Sequence, residues 1–147
     1  MTRSERFLHR YLFGTPLTTM LFGGIFTILV QSSSITTSIV VPLIGSGILT
    51  LPQIFPYVLG ANIGTTVTAM LASLATGNLA AVTVAFTHLS FNLSGILLIY
   101  PIPAIRHIPM SMASGLAALT GKSRLIPIAY VVLVFYLIPL LLIFLWR

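Results

Sequence analysis

Two kinds of chemistry are ruled out by what is missing. The chain has no cysteine, which removes disulfides and thiolate metal sites and leaves the redox compartment unreadable from cysteine usage. It has a single carboxylate, Glu5, close to its start. Paired-carboxylate hydrolysis, carboxylate-relayed proton pumping and carboxylate-bound divalent metals therefore lack their residues, and no Ser-His-Asp or Ser-His-Glu triad can be assembled. An enzyme is not expected. Charge of either sign is confined: no Asp, Glu, Lys or Arg lies between Tyr11 and Ile105.

What fills that space is apolar. Hydrophobic residues make up 57% of the chain and the mean hydropathy is +1.10, well beyond soluble globular usage, so the class is an integral membrane protein. The net charge of +6 comes from Arg3, Arg6 and Arg10, from Arg106, Lys122 and Arg124, and from Arg147. These residues flank apolar stretches in the positive-inside manner and are not gathered into a nucleic-acid patch, so no nucleic-acid partner is expected. The rule would put residues 3–10 and 106–124 in the cytoplasm. Residues 3–10 also resemble the opening of a signal peptide, but no small-x-small cleavage site follows, and they are expected to remain in the mature chain.

In chain order, residues 1–15 read as a basic lead, an interfacial helix with Phe7, Leu8 and Tyr11 toward lipid. Residues 16–147 read as one membrane unit. A single straight helix over 17–48 would be about 48 Å long against about 30 Å of hydrocarbon, whereas two arms split at Gln31-Ser32-Ser33-Ser34 would suit a re-entrant hairpin. A helix over 53–76 is expected to break at Gly60 to Gly64. A span follows over 80–100, stopped by Tyr100-Pro101-Ile102-Pro103. A basic connection over 104–124 has the apolar series Ile108, Met110, Met112, Leu116 and Leu119, suited to a helix lying on the membrane. The last span is expected over 126–146, with Tyr130, Tyr136 and Trp146 as interface anchors.

The polar residues inside this apolar sequence are the candidates for function, because lipid offers them no hydrogen bonds and each unsatisfied group costs several kcal/mol. Gln31, Ser32, Ser33, Ser34, Thr36, Thr37 and Ser38 form one cluster. Isolated Ser and Thr in membrane helices usually bond back to their own helix, but so many together point to a site. Where an arm ends at Gln31, unpaired carbonyls suit a hard cation; where the next begins near Ser34, free N–H groups suit an anion. Gly60-Ala61-Asn62-Ile63-Gly64-Thr65-Thr66 is the second cluster. Gly60 could close a half-helix and Thr65 or Thr66 could cap the next, but Gly60 and Gly64 read equally well as a G-x-x-x-G packing pair. His88 and Asn92 share a helix face four residues apart, which for a lone intramembrane His is more often packing than ligation.

At these residues the chain resembles the type II sodium/phosphate cotransporters. The likeness rests on Val30-Gln31-Ser32-Ser33-Ser34 with Ile35-Thr36-Thr37-Ser38, on Leu59-Gly60-Ala61-Asn62-Ile63-Gly64-Thr65-Thr66-Val67-Thr68-Ala69, and on His88 through Arg106 with Phe91-Asn92-Leu93-Ser94-Gly95 and Tyr100-Pro101-Ile102-Pro103. That family is built from two inverted repeats, and the resemblance, over about residues 15–146, covers one of them, similar to its C-terminal half. It implies an all-α integral membrane fold: one inverted-repeat half with a re-entrant helical hairpin, a broken transmembrane helix and two further spans. It places Gln31, Ser32, Ser33, Ser34, Asn62, Thr65 and Thr66 at the substrate, and Gln31, Ser33, Thr36, Asn62 and Thr65 at sodium.

The implied function is sodium-coupled transport of inorganic phosphate in a cell membrane, a bacterial inner membrane in the first instance, with sodium as the co-transported ion and no cofactor. The second repeat would come from the same full-length protein, of which this chain is a piece, or from another copy in opposite orientation. Truncation is the simpler of the two, since the charge bias favours one orientation. The rival readings are a membrane interaction subunit or truncated fragment that carries nothing itself, and a pore made from hairpins.

Overall fold

The computed structural model describes residues 11–123 and 125–146. The basic lead is therefore mostly outside the described residues, as are Arg124 and Arg147. Among the described residues the regular structure is all helical, with no strand, and the chain divides into two units, residues 1–106 and 107–147.

Helix α1 spans Pro16–Val30. Thr15 caps it: its hydroxyl accepts from the Thr18 N–H at 3.2 Å, and the Thr18 hydroxyl accepts from the Thr15 N–H at 3.2 Å, a capping box built from two threonines with Pro16 in the first turn. The helix stops at Gln31, whose backbone is left-handed at φ 57° and whose N–H donates to the Thr27 carbonyl at 2.7 Å. Ser32 is extended and starts α2, Ser33–Gly45, by accepting from the Ile35 N–H at 3.3 Å. Both helices are apolar yet, at roughly 22 and 20 Å, shorter than about 30 Å of hydrocarbon.

After a turn through Gly47, α3 runs from Leu51 to Thr76 and α4 from Leu79 to Ile99. Gly77 ends α3 in the left-handed region, and Asn78 begins α4 at once, its Oδ1 accepting from the N–H groups of Ala80 and Ala81 at 2.9 and 3.3 Å. Both helices are long and apolar enough to cross a membrane, as is Leu125–Leu145.

α3 is the spine of the first unit. The break expected over Gly60 to Gly64 is absent: α3 continues for 26 residues without interruption. The reason lies in what those glycines face. A Cβ on Gly60 would run into the backbone of Met20, one on Gly64 into the Gly24 carbonyl and the Thr27 side chain, and one on Gly23 into the Tyr57 carbonyl. The glycines keep helical backbone and let α1 and α3 approach closely, which is the packing alternative for the G-x-x-x-G pair. Met20 meets Gly60 and Thr27 meets Gly64, so contacts climb both helices together and α1 runs parallel to α3.

α2 returns toward the start of α3, where Val40 joins Leu49, Ile54 and Tyr57 in the core together with Phe13. Phe13, Phe22 and Tyr57 form an aromatic group with centroids 5.7 to 6.0 Å apart, and the Tyr57 hydroxyl donates to the Thr36 carbonyl at 3.1 Å, fixing α2 to α3. Phe13 thus belongs to the core rather than to a surface lead.

α5, Pro103–Thr120, crosses from the first unit into the second. The second unit then carries α6, Leu125–Val132, a π-helical turn over Leu133–Leu137, and α7, Ile138–Leu145. In that turn the Ile138 N–H reaches back to the Leu133 carbonyl. Pro139, which lacks an N–H and crowds the carbonyl four residues before it, accounts for the widening. No residue of this stretch is buried.

Candidate functional site

The break between α1 and α2 leaves backbone groups of both helices outside their own helical ladders. Beyond Thr27, whose carbonyl is taken by Gln31, the last carbonyls of α1 have no donor within the helix. At α2, Ser32 uses its hydroxyl on Ile35 and its carbonyl on the Thr36 N–H, leaving the amides of Ser33 and Ser34 outside the helical ladder. The negative end of one helix dipole thus adjoins the positive end of another, each worth roughly half a charge. Gln31 holds a left-handed backbone without being glycine, a strained state that persists where surrounding structure enforces it. Gln31 and Ser34 are exposed, while Ser32 and Ser33 are half-buried.

The threonines follow the back-bonding pattern. Thr36 and Thr37 hydroxyls donate to the Ser32 and Ser33 carbonyls, both at 2.8 Å, Thr65 to Ala61 at 3.1 Å and Thr66 to Ile63 at 2.8 Å. Thr65 and Thr66 are therefore mid-helix residues and not caps. A hydroxyl that donates in this way keeps its lone pairs, so its oxygen can still accept from an anion's proton or meet a cation.

The second stretch contributes through position rather than through a break. Thr27 sits against Gly64, and Gln31 is one turn further along α1, so the break lies on the Gly64 side of the α1–α3 crossing. No hydrogen bond joins Gln31, Ser32, Ser33 or Ser34 to Asn62, Thr65 or Thr66 among the described residues. Asn62 is exposed and its carbonyl lies 3.5 Å from Asn92 Nδ2, a link between α3 and α4.

Two residues that sequence reasoning passed over matter here. Tyr57 clamps the first turn of α2, and its place in an apolar run gave no sign of it. Thr27 is fully buried and its hydroxyl is the one buried side-chain polar atom among the described residues without a partner. Its only sequence signal is that it stands one turn before Gln31.

His88 does not join this tip. It lines an open cleft of about 640 Å³ between α3 and α4 together with Ala69, Ser73, Thr76, Ala81 and Ala85. Ser73 and Thr76 spend their hydroxyl protons on the carbonyls of Met70 and Ser73, and the rest of that wall is mostly alanine, so the cleft is a poor cradle for a charged ion. Among the described residues no group of three or more His, Cys, Asp or Glu could hold a metal.

Three apolar helices long enough to span a bilayer, beside two shorter apolar helices joined at a polar break, define a multi-pass α-helical membrane protein. The chain belongs to the Na+/Pi-cotransporter family, whose family model matches residues 1–100. It is 48% identical over 124 residues to the human sodium-dependent phosphate transport protein 2B, covering 82% of this chain and 18% of that protein. Against protein 2A of Ovis aries it is 43% identical over 136 residues, 86% of this chain and 21% of the relative. Against protein 2C of Rattus norvegicus it is 46% identical over 124 residues, 82% and 20%. The chain thus spans about a fifth of the length of the curated relatives it matches. Those relatives are transporters and not enzymes, and their names make sodium the accompanying ion. All three are mammalian and lend no support to a bacterial inner membrane. No solved structure matches the chain.

Proposed function

We propose that this chain is one repeat of a sodium-coupled carrier of inorganic phosphate in a multi-pass membrane protein, with its ions bound at the α1–α2 break. The observation that carries the reading is the break itself, Gln31 left-handed and Ser32 extended, inside a family of sodium-dependent phosphate transporters. Phosphate would meet the amides of Ser33 and Ser34 and the hydroxyls of Ser32, Ser33 and Ser34 at the start of α2, with Asn62, Thr65 and Thr66 completing the cradle. Sodium would sit toward the free carbonyls of α1, with the side-chain oxygens of Gln31, Ser33, Thr36, Asn62 and Thr65 as its hard-ligand shell. With no Lys or Arg between Tyr11 and Ile105, co-bound sodium offsets the phosphate charge, which makes the coupling a matter of electrostatics.

α1 and α2 would form a re-entrant hairpin, since neither is long enough to cross upright and α2 returns along α3. An inverted second repeat would close the other side of the site, and alternating access would expose it to each face in turn.

The test is uptake of radiolabelled phosphate into liposomes holding the purified chain, with an inward sodium gradient and with potassium in its place. Sodium-dependent uptake, lost in Ser33→Ala, supports the carrier and shows that copies assemble into a whole one. Uptake indifferent to sodium contradicts it. A second reading, a half-carrier that needs its other repeat, is favoured by the chain's coverage of only a fifth of its relatives. It predicts no uptake alone and sodium-dependent uptake once the second repeat is co-reconstituted.

A further inference from the structure

α5 carries an apolar stripe that is exposed at three of its four residues, with Leu116 half-buried. Ile108, Met112, Leu116 and Leu119 recur at intervals of four, four and three residues, which keeps them on one side of a helix. Met112 is 69% exposed, Ile108 56% and Leu119 48%. Met110, on the opposite flank, is the buried residue of this helix. Ser114 stands opposite the stripe.

The charges bracketing α5 select what could cover it. Arg106 is in its first turn and stacks over the Tyr100 ring at 5.4 Å, Lys122 follows its last turn, and Arg124 is two residues further in sequence. No carboxylate occurs in the chain after Glu5. A second copy of this chain would bring the same basic ends against these, with no acidic residue to relieve them. A surface that is apolar in depth and negative at its rim meets both demands.

We propose that α5 docks on anionic phospholipid, its stripe entering the acyl boundary of one leaflet while Arg106 and Lys122 meet headgroup phosphates. The Tyr100 ring holds the Arg106 guanidinium at the start of the helix. The helix then senses the leaflet's negative lipid content, independently of whether the break binds phosphate.

The absence of cysteine makes the test direct. Met112→Cys, labelled with an environment-sensitive fluorophore, is placed in the full chain reconstituted in phosphatidylcholine bilayers with and without phosphatidylglycerol. Emission is expected to move to shorter wavelength as phosphatidylglycerol rises and to move back in high salt, while a label at Ser114→Cys stays water-like in both lipids. Lys122→Gln, which leaves the Tyr100 stacking intact, should lower the ratio of seated to lifted helix about fivefold, and Arg106→Gln with it by about fivefold again. Emission from position 112 that is the same with and without phosphatidylglycerol overturns the proposal.

Discussion

The chain holds two polar stretches in apolar surroundings, Gln31 to Ser34 and Gly60 to Thr66, and the structure treats them oppositely. The stretch without glycine breaks its helix. The stretch with two glycines, which would have made a left-handed turn cheap, stays helical through α3. Hydroxyl chemistry does not separate them, because threonines in both bond back to their own helix. What separates them is the company each keeps. Ser32 has an amide to cap within its own turn, whereas Gly60 and Gly64 are occupied by the backbone of Met20 and Gly24 from another helix.

The sharpest way to break this comparison is to refill the crossing. Gly60→Ala puts a methyl into the Met20 backbone and is expected to cost about 3 kcal/mol, at the upper end for overpacking, read as a lowered midpoint in detergent unfolding. If the variant is as stable as the parent, α1 and α3 do not pack this closely, and the glycines are free to break α3 after all. Thr27→Val acts at the same crossing in the other sense. It keeps the shape and removes the unpaired buried hydroxyl, so stability should rise by about 1 kcal/mol. A loss of that size in the same unfolding assay would mean that the hydroxyl has a partner in the folded protein.

On the other side of the comparison, Ser32→Ala deletes the cap of α2 and should cost about 1 kcal/mol, while Ser32→Gly costs only a few tenths. Equal losses would show that the hydroxyl matters for something other than the helix start. The smallest change expected is Gln31→Gly, which relieves the left-handed backbone and should stabilise by something under about 1 kcal/mol. Sodium-dependent uptake should fall in the same variant if the Gln31 side chain is an ion ligand. Uptake that rises with stability would remove it from the site.

How far each feature could be read in advance follows from its range. The membrane class, helices long enough to span and the helix break at Gln31 to Ser34 were legible, because composition, length and caps are written within a few residues of where they act. The fate of Gly60 and Gly64 was not, since packing and breaking are equally good uses of a glycine until the facing residue is known. Tyr57 and Thr27 were illegible for the same reason. One acquires its role from the Thr36 carbonyl and the other from contact with Gly64.

By itself, then, the sequence determined that this is a membrane protein whose single carboxylate side chain, Glu5, stands near its start, and which family it belongs to. Each of these depends on which residues are present and how they are spaced along the chain. Only the tertiary structure decided that α1 runs parallel to α3 through a glycine crossing, that α2 is held by Tyr57, and that one polar stretch opens a helix while the other closes a packing gap. A helix cap is chosen by neighbours in sequence, but a glycine's purpose is chosen by whatever backbone lies across from it.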